Sequence, residues 1–461
     1  MNCSVVILAA GEGTRMKSSL PKVLNKAAGL PMAEWVIRAA VGGTEKKPVM
    51  VYGSGGNALP EYFSGKCEFC LQSERKGTGH AVMCAKDAII KSAGEYVVIL
   101  AGDMPLITAD SVKMLVNSAC GGNYSCMLLT SVLPDPTGYG RIVRDENGEL
   151  KKIVEHKDAT EEERRICEVN ISVYCFKTKE LLESLDKITP NNKNGEYYLT
   201  DAIELIKNAG GKVGAVTLPD YREGQGVNNK AQLAECSQIL KERINKEHML
   251  NGVTLLDPKN TYIEADVKIG RDSVIYPGVF LEGSTVLGEG VTVYQGSRLV
   301  NSTVLDGSTV QNSVLIDAKI GRNTDVGPYA YLRPGTDVKD NCRIGDFVEI
   351  KNSIIGNGTK VSHLTYVGDG DMGENINVGC GVVFVNYDGQ KKHRSVIGDG
   401  AFIGCNTNLV SPVNVGEGAY IAAGSTITKD VPENSLVIAR ARETVLPGWA
   451  KGRYKNQKDN K

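Results

Sequence analysis

A six-residue repeat in the C-terminal half restricts the fold of this chain more than any other feature of the sequence. Aliphatic residues recur at every sixth position, in three runs that share one spacing but differ in frame. An α-helix repeats about every 3.6 residues and a strand about every 2, so neither explains the pattern. A hexapeptide repeat predicts a left-handed parallel β-helix, in which each hexapeptide gives one short strand and one turn. The repeated positions are Ile269, Ile275, Leu281, Leu287, Val293, Leu299 and Leu305, then Val326, Leu332, Val338, Ile344 and Ile350, then Ile397, Ile403, Leu409, Val415, Ile421 and Ile427.

The β-helix prediction also fixes where these side chains point. Each coil stacks about 4.8 Å above the last, with the repeated aliphatic residue directed inward. The frame breaks after Ile350 and returns at Ile397, which predicts an interruption of the solenoid between these positions. A second small or β-branched residue often lies two positions before the aliphatic one, as at Val267, Val279, Thr285 and Val291.

Composition limits the functional class. The formal net charge of the 461-residue chain is -1, which argues against a dedicated nucleic-acid binder. The first ten residues lack a basic leader, and no stretch reaches the roughly 18 apolar residues of a membrane-spanning helix. We therefore expect a cytoplasmic protein without a membrane partner. The 12 cysteines are scattered without the spacing of a disulfide framework or a zinc site.

The N-terminal half has the alternating pattern of an α/β domain. Short apolar runs, typical of buried strands, alternate with helical segments and predict a mostly parallel, Rossmann-like sheet. Ligands of such sheets bind beyond the carboxyl ends of the strands, where Gly11 and Asp103 follow their strands. The predicted strands cover residues 5–9, 49–52 and 97–100, and a predicted helix covers residues 32–41.

One amphipathic helix is expected to link the two halves. Leu233, Cys236, Leu240 and Ile244 follow each other at spacings of three and four, which forms one apolar stripe of a helix. The predicted organisation is an α/β domain over residues 1–229, a linking helix over 230–250 and a β-helix domain over 251–461, whose polar, basic tail over 451–461 is expected to be disordered.

A glycine-rich turn follows the first predicted strand. It lacks the third glycine of a dinucleotide loop, because Met16 occupies that position, and it lacks the Gly-Lys-Ser/Thr of a Walker loop. Backbone N–H groups of the turn, flanked by Arg15 and Lys22, suit the phosphates of a nucleoside triphosphate. The same residues also fit a plain strand-to-helix turn with two surface cations, and the loop alone does not decide between these alternatives.

Two polar residues mark further candidate sites. His363 falls inside the break of the hexapeptide frame, and an imidazole with an ordinary pKa of about 6.5 can take a proton at neutral pH. His363 also fits a structural role at the edge of a coil. Asp103 follows a strand, where a carboxylate can bind a metal ion or cap a helix. The residues by themselves leave both choices open.

The chain resembles a known family along nearly its whole length, from Val5 to about Trp449. The string LAAGEGTRM, followed by PK, resembles the sugar-nucleotide pyrophosphorylases. Joined to a hexapeptide half, it is similar to the bifunctional members that make UDP-N-acetylglucosamine for the bacterial cell envelope. This resemblance implies acetyl transfer from acetyl-CoA to glucosamine-1-phosphate, then Mg²⁺-dependent uridylyl transfer from UTP to N-acetylglucosamine-1-phosphate. It also implies a homotrimer with acetyltransferase sites between subunits.

The resemblance assigns roles to residues of the N-terminal half. Asp103 and Asn228 match the magnesium ligands of the family. Ala101 departs from the tyrosine that some members carry there, so no stacking role is expected of it. The residues that match nucleotide and sugar contacts are Leu8, Ala9, Ala10, Gly11, Arg15, Lys22, Gln72, Gly77, Thr78, Gly102, Gly140, Glu155, Asn170 and Asn228.

The resemblance also assigns roles in the β-helix. His363 matches the general base of the acetyltransferase, and Glu349 is expected to orient or stabilise it. The basic run over residues 391–394 is expected to contact a ligand or a neighbouring subunit. Cys380 and Cys405 stand where alanine and serine are common in the family. The residues that match the sugar-phosphate site are Arg333, Lys351, Tyr366 and Asn377, and those that match acetyl-CoA contacts are Cys380, Asn386, Tyr387, Cys405, Ala423 and Arg440.

Two alternatives remain at this level. One is a single-activity pyrophosphorylase whose β-helix only assembles subunits, and the other is a non-catalytic scaffold built from the same folds. Assembly alone does not require His363, Lys351 and Arg333, and a scaffold does not require Lys22 and Asp103.

Overall fold

The computed structural model describes residues 2–54, 56–190 and 195–451. The tail that the sequence predicts to be disordered lies outside the described residues from position 452 onward. Contacts divide the chain into two compact units, and the division falls between Ile244 and Asn245, inside the long helix Lys230–Leu250. No helix in the described ranges combines the length and the apolar composition needed to cross a bilayer.

The first unit is built on a nine-stranded sheet with the order β11-β7-β10-β6-β1-β4-β5, to which β8 and β9 are attached through β10. Most neighbours on the main path are parallel, but β10 runs antiparallel to both β6 and β7. The mostly parallel, Rossmann-like sheet predicted from the sequence is confirmed. The strands are β1 Cys3–Ala9, β2 Lys26–Ala27, β3 Leu30–Pro31, β4 Val49–Gly53, β5 Glu68–Gln72, β6 Tyr96–Ala101, β7 Cys126–Val132, β8 Gly140–Arg144, β9 Leu150–Val154, β10 Glu168–Lys177 and β11 Val213–Thr217.

Helices cover both faces of this sheet because successive strand residues point to opposite sides. Val98 and Leu100 pack in one core with α1 and α5, whereas Val97 and Ile99 pack in the other with α3 and α8. The helix predicted over residues 32–41 continues to Thr44. The helices are α1 Met32–Thr44, α2 Ala58–Tyr62, α3 Thr78–Cys84, α4 Lys86–Ser92, α5 Ala109–Gly121, α6 Glu161–Arg164, α7 Thr178–Leu185, α8 Leu199–Asn208 and α9 Lys230–Leu250.

The second unit is a parallel β-helix with three faces of 11, 10 and 9 strands. The first face contains Thr254–Leu255, Val274–Ile275, Thr292–Val293, Thr309–Val310, Asp325–Val326, Arg343–Asp346, Lys360–His363, Asn377–Val378, Phe402–Ile403, Tyr420–Ile421 and Leu436–Val437. The second contains Tyr262–Ile263, Phe280–Glu282, Arg298–Val300, Val314–Ile316, Tyr331–Leu332, Glu349–Lys351, Tyr366–Gly368, Val383–Val385, Asn408–Val410 and Thr426–Ile427. The third contains Lys268–Ile269, Val286–Leu287, Thr303–Val304, Lys319–Ile320, Asp337–Val338, Ile354–Ile355, Gly370–Met372, Ser395–Ile397 and Asn414–Val415.

The predicted inward positions are buried, with two exceptions. Ile269 and Leu305 are only partly buried, and Val304 fills the core where Leu305 was expected. The step from Leu299 to Val304 is five residues, so a shortened repeat explains why the frame slips at this point.

The predicted interruption after Ile350 is wrong in its position. The core continues without a gap through short and full repeats, and the true interruption is the segment between Phe384 and Ile397. That segment leaves the second face and returns on the third, with an isolated bridge between Tyr387 and Lys392. The inward residues after Ile350 are Ile355, Val361, Val367, Met372, Val378 and Phe384.

Candidate active sites

The glycine-rich turn after β1 packs closely against the side chain of Lys22. Gly13 has φ +66°, and a Cβ built on it would lie 2.5 Å from Lys22 Cβ. Both the backbone conformation and the close approach therefore require glycine at this position. The chain then forms a single 3-10 turn, Thr14–Met16, whose Met16 side chain is buried. Arg15 is thereby left exposed beside the turn.

Four predicted residues form one polar cluster at the carboxyl edge of the sheet. Lys22 Nζ makes an ion pair with Asp103 and donates to Asn228 Oδ1 at 2.7 Å. Arg15 donates to the same Asn228 oxygen at 3.0 Å. A backbone hydrogen bond of 3.0 Å from Val227 N to Asp103 O holds the segment of Asn228 against the end of β6. The fold thus collects residues that are more than 200 positions apart in the chain.

The oxygen donors of this cluster fit a magnesium ion. Asp103 Oδ2 and Asn228 Oδ1 both contact one ammonium group, so the two oxygens already converge on a single cation. Magnesium commonly takes one or two protein oxygens and completes its octahedron with water and phosphate. Among the described residues, no group of three or more His, Cys, Asp or Glu side chains is arranged to hold a metal. A site of this kind therefore relies on the ligand for its remaining oxygens.

Two cavities meet at Asp103. The larger, of about 410 Å³, is lined by the predicted residues Leu8, Ala9, Ala10, Gly11, Lys22, Gln72, Gly77 and Thr78. The smaller, of about 270 Å³, is lined by Arg15, Asn170 and Asn228 among others. Asp103 and Ser172 line both cavities. Gly102 supports the larger one, since its N–H donates to Leu8 O at 2.8 Å.

Glu155 lines neither of these two cavities. It lines a separate pocket together with Asp158 and Asp201, and Gly140 lies against it, with a constructed Cβ 3.5 Å from Glu155 Oε1. Burial raises the pKa of the Glu155 carboxyl, and the nearby Asp158 and Asp201 add to the effect. The sugar role that the resemblance implies for Glu155 and Gly140 therefore stays a prediction.

Arg75 is a residue of the first site that the sequence reasoning missed. It lines the larger cavity, donates from Nε to Ala10 O at 2.9 Å and forms an ion pair with Glu12. Arg75 lies in the same segment as Gln72, so its position between two predicted contacts, Gln72 and Gly77, was the available signal. It adds a second cation to this cavity beside Lys22 and ties the Gln72 segment to the glycine turn.

Hydrogen bonds within the chain hold the segment that follows β5. Gln72 is buried, and its Nε2 lies 3.2 Å from Gly77 O and 3.1 Å from His80 Nδ1. Thr78 Oγ1 accepts a hydrogen bond of 3.1 Å from Leu199 N. On the opposite side, Asn170 Nδ2 donates to Tyr174 Oη at 2.8 Å, across an irregularity in β10. Hydrogen bonds within the chain therefore hold the cavity walls in place.

Replacement of Gly77 by alanine is expected to destabilise the first unit by about 2 kcal/mol or more. Gly77 has φ +101°, and a Cβ there would lie 2.5 Å from the carbonyl oxygen of Tyr197. Gly65→Ala is the matched control, because Gly65 has φ +80° but no atom within 4 Å of its constructed Cβ. Chemical unfolding should show a larger decrease in the free energy of unfolding for Gly77→Ala than for Gly65→Ala. Equal decreases would contradict this prediction, because the backbone at Tyr197 would then move away from the new Cβ without a measurable loss of stability.

His363 forms the centre of a second polar cluster, in the β-helix. Its Nδ1 lies 2.7 Å from Asp346 Oδ1, and the two residues are paired in adjacent coils. The hydrogen bond from His363 holds the pKa of Asp346 below its ordinary value. The expectation that Glu349 orients the histidine is wrong, because Glu349 instead accepts a 2.7 Å hydrogen bond from Arg333. Asp346 precedes His363 by 17 residues, which is one coil, so the coil period itself pointed to this partner.

The residues predicted to bind the sugar phosphate lie on two adjacent faces of the β-helix. Arg333, Lys351 and Tyr366 follow one another up the second face, one coil apart. Asn377 lies on the first face, in the coil after His363. A neighbouring Lys392 lowers the pKa of Lys351, so these two ammonium groups are close together and favour an anion between them.

Part of the basic run is paired within the chain. Arg394 forms an ion pair with Asp371, and His393 Nε2 lies 2.6 Å from Asp388 Oδ2. Within the run, Lys391 and Lys392 are therefore the candidates for the expected contact with a ligand or a neighbouring subunit.

Asn386 is buried and belongs to a hydrogen-bonded group centred on Asp369. It donates to Asp369 Oδ2 at 2.6 Å, and Asn352 donates to Asp369 Oδ1 at 2.6 Å. Burial opposes ionisation of Asp369, but the two amides and the nearby lysines outweigh it and lower its pKa. The adjacent Tyr387 is exposed and donates to Gly389 O at 2.7 Å within the loop.

The remaining acetyl-CoA candidates follow the corner between the first and second faces. Asn406 N donates to Cys380 O and Gly424 N donates to Cys405 O, both at 2.7 Å, so these turns stack directly. A Cβ built on Gly424 would lie 3.9 Å from Arg440 Cδ. Ala423 lies two residues after the inward Ile421, which is the position that Cys405 has after Ile403 in the preceding coil. The structure therefore gathers Cys380, Cys405, Ala423 and Arg440, whereas Asn386 and Tyr387 leave from the far end of the second face.

Comparison with known proteins identifies both units. Residues 5–166 match the model of the MobA-like NTP transferase domain, and residues 394–429 match that of the bacterial transferase hexapeptide (six repeats). A "Bifunctional protein GlmU" of Clostridium novyi is 52% identical over 448 residues, which cover 97% of this chain and 98% of that protein. Proteins of the same name from Acetivibrio thermocellus, covering 100% of both chains, and from Clostridioides difficile, covering 100% of this chain and 99% of the relative, are 49% and 48% identical.

Proposed function

This chain belongs to the GlmU family of bifunctional proteins, and from that membership we propose how its two sites share the synthesis of UDP-N-acetylglucosamine. The chain is a bifunctional transferase with an acetyl-transfer and a uridylyl-transfer activity. One observation supports the division of labour. The cluster of Lys22, Asp103 and Asn228 and the pair of Asp346 and His363 lie in different compact units. A β-helix that only assembled subunits would gain nothing from an exposed, carboxylate-paired histidine.

The β-helix transfers an acetyl group from acetyl-CoA to glucosamine-1-phosphate. The amine nitrogen attacks the acetyl carbon, His363 accepts the proton of that nitrogen through Nε2, and coenzyme A leaves as the thiol. Asp346 holds the ring by Nδ1 and stabilises its protonated form. Arg333 and Lys351 supply positive charge for the phosphate, and the corner of Cys380, Cys405 and Ala423 receives the acetyl donor.

The α/β unit transfers a uridylyl group from UTP to N-acetylglucosamine-1-phosphate and releases pyrophosphate. Lys22, Arg15 and the loop amides neutralise and orient the phosphates, so that the sugar phosphate attacks in line. Gln72 lines the cavity, and we assign its amide to the donor and acceptor edge of uracil. Asp103 and Asn228 would hold Mg²⁺, which adds charge neutralisation at the triphosphate when bound.

We propose a homotrimer, as the family resemblance implies, and an apolar ridge on the β-helix supports contact with another subunit. Tyr329, Phe347 and Leu364 have φ of 60°, 56° and 39°, a left-handed conformation that bulky side chains seldom adopt. They form an apolar ridge beside His363, and each is 58–59% exposed in the single chain. Strained, exposed apolar residues next to a candidate site favour cover by another subunit. Light scattering should give three times the chain mass, and a monomer that still transfers acetyl would contradict this assembly.

One assay tests both activities at once. The purified protein is incubated with glucosamine-1-phosphate, acetyl-CoA, UTP and Mg²⁺, and free thiol and pyrophosphate are measured separately. Release of both, with pyrophosphate dependent on the acetyl step, is expected. Pyrophosphate from N-acetylglucosamine-1-phosphate without any thiol release would leave the single-activity alternative. We place the reaction in the cytoplasm, where UTP and acetyl-CoA are available, and cell fractionation tests that placement.

Replacement of Asp346 by asparagine should lower kcat of acetyl transfer by about 10- to 100-fold, because the imidazolium loses its anionic partner. The KM for glucosamine-1-phosphate should change little, and the acidic limb of the pH–rate profile should move to lower pH. Glu349→Gln is the matched comparison, because Glu349 contacts Arg333 instead of the histidine. It should act mainly on KM. If Glu349→Gln moved the pH profile and Asp346→Asn did not, the assignment of the positioning residue would be reversed.

A further inference from the structure

The corner between the first and second faces carries a column of reactive side chains. Ile344, Val361, Val378 and Ile403 are paired from coil to coil as inward residues. The residue two positions after each occupies the same place at the corner of its own coil. In chain order, these corner residues are Asp346, His363, Cys380 and Cys405. The column therefore continues from the carboxylate–imidazole pair directly into two consecutive thiols.

The two cysteines occupy superimposed turns. Gly381 and Asn406, the residues that follow them, have φ of 76° and 55°, so both turns share one backbone conformation. Asn406 N donates to Cys380 O at 2.7 Å, and a Cβ on Gly379 would lie 2.6 Å from Cys405 N. Neighbouring coils are about 4.8 Å apart, so equivalent Cα atoms fall within the roughly 4.4–6.8 Å that a disulfide bond requires.

This thiol pair differs from the other cysteines of the chain. All 12 cysteines are free. Cys405 is exposed and Cys380 is half-buried, so a small molecule in solution can reach the pair through Cys405. Cys120 and Cys167 are also exposed, but they lie in the first unit and outside any such column. No group of three metal-ligating side chains forms among the described residues, so the column is not arranged as a metal site.

We propose that Cys380 and Cys405 form a redox-responsive dithiol, which small-molecule disulfides convert into an intramolecular disulfide bond that closes the acetyl-donor corner. The Cys405 thiolate attacks one sulfur of the small disulfide and releases one thiol. The Cys380 thiolate then attacks Cys405 Sγ, and the second small thiol leaves. Two protein thiols are oxidised, the small disulfide is reduced to two thiols, and the protons of the protein thiols are taken up by the released thiolates.

The consequence for activity rests on the proposed function of this corner. Oxidation would cross-link two stacked turns at the place assigned to acetyl-CoA and would remove both thiol groups from its lining. The uridylyl-transfer site lies in the other unit and contains neither residue. Oxidation should therefore stop acetyl transfer and spare uridylyl transfer, and reduction should restore the lost activity.

The test uses the full-length protein equilibrated with glutathione disulfide. Peptide mapping after alkylation should show a cross-linked pair containing Cys380 and Cys405, while Cys120 and Cys167 carry only glutathione adducts. Acetyl transfer should be lost in step with the cross-link and should return with dithiothreitol. Uridylyl transfer from supplied N-acetylglucosamine-1-phosphate should persist throughout.

Cys405→Ser and Cys380→Ala are the matched variants, because serine and alanine are common in the family at these positions. Each is compared with its own reduced form, whatever its basal rate, and neither should show the cross-link. If Cys167 acquires glutathione but no Cys380–Cys405 peptide forms in the unmodified chain, the inference is overturned. A cross-link with undiminished acetyl transfer would overturn it as well. Failure of the proposed function would differ, since the reduced protein would then release no thiol.

Discussion

Replacement of Asp103 by asparagine should lower uridylyl transfer by at least about 100-fold, while acetyl transfer continues at its normal rate. The carboxylate is one of two protein oxygens that converge on a single cation at the end of β6, and it also pairs with Lys22. An amide has the same shape, but it lacks the charge that attracts a divalent cation and holds the lysine in place. The measurement is pyrophosphate release from UTP and N-acetylglucosamine-1-phosphate over a range of Mg²⁺ concentrations.

Asp110→Asn is a suitable control for this substitution. Asp110 lies in the first turn of α5, seven residues after Asp103, and it is exposed. It should leave pyrophosphate release unchanged. If Asp103→Asn eliminated acetyl transfer in a folded protein, the independence of the two sites would be contradicted. If high Mg²⁺ fully restored the variant, Asp103 would contribute to metal affinity alone and not to phosphate positioning.

The periodic parts of the fold were readable from the sequence because packing repeats with the chain. Each inward residue of the β-helix must fill one layer of the core, so its identity recurs with the coil. Apart from Ile269, the errors arose where the period changed. A five-residue step at Val304 left Leu305 only partly buried, and short repeats after Ile350 hid a solenoid that in fact continues to Phe384. A search for one fixed spacing cannot follow a coil whose turns differ by one residue.

The first candidate site shows a different limit of sequence reasoning. Family resemblance assigned roles to Lys22, Asp103 and Asn228, and the fold joins them in one cluster. Arg75 was missed because its role depends on where the loop folds back, which brings its Nε to Ala10 O at 2.9 Å. Its position between Gln72 and Gly77 pointed to the site, but the local sequence does not show which residue, 65 positions away, it contacts. The sugar role of Glu155 stays a prediction, because Glu155 lines a neighbouring pocket that shares Tyr198 with the larger cavity.

The hydrogen-bond partner of His363 could have been predicted from the sequence. Asp346 lies one coil before His363, and residues at equivalent positions of neighbouring coils are neighbours in space. Glu349 is closer to His363 along the chain, but its strand belongs to the next face. In a β-helix, the coil length of 17 or 18 residues is therefore a better guide to side-chain contacts than proximity along the chain.

Replacement of His363 by alanine should lower acetyl transfer by about 10²- to 10⁴-fold, the range ascribed to general acid–base catalysis. His363 is exposed on the surface of the single chain, so its loss opens no cavity in the core and stability should be nearly unchanged. The rate should fall in kcat with little change in KM, because the base acts on the proton released during attack. The measurement is thiol release from acetyl-CoA, with pyrophosphate release from supplied N-acetylglucosamine-1-phosphate as the internal reference.

His393→Ala provides the contrast, because His393 lies in the same unit but its Nε2 is already engaged by Asp388. It should keep most of the acetyl-transfer rate. The pH dependence adds a second criterion: the unmodified enzyme should lose activity as the imidazole becomes protonated, and the residual activity of His363→Ala should lack that acidic limb. If the alanine variant kept the limb and most of its rate, the proton would leave by another route. The Asp346–His363 pair would then be a structural feature of the coil edge, which is the alternative that the sequence alone could not exclude.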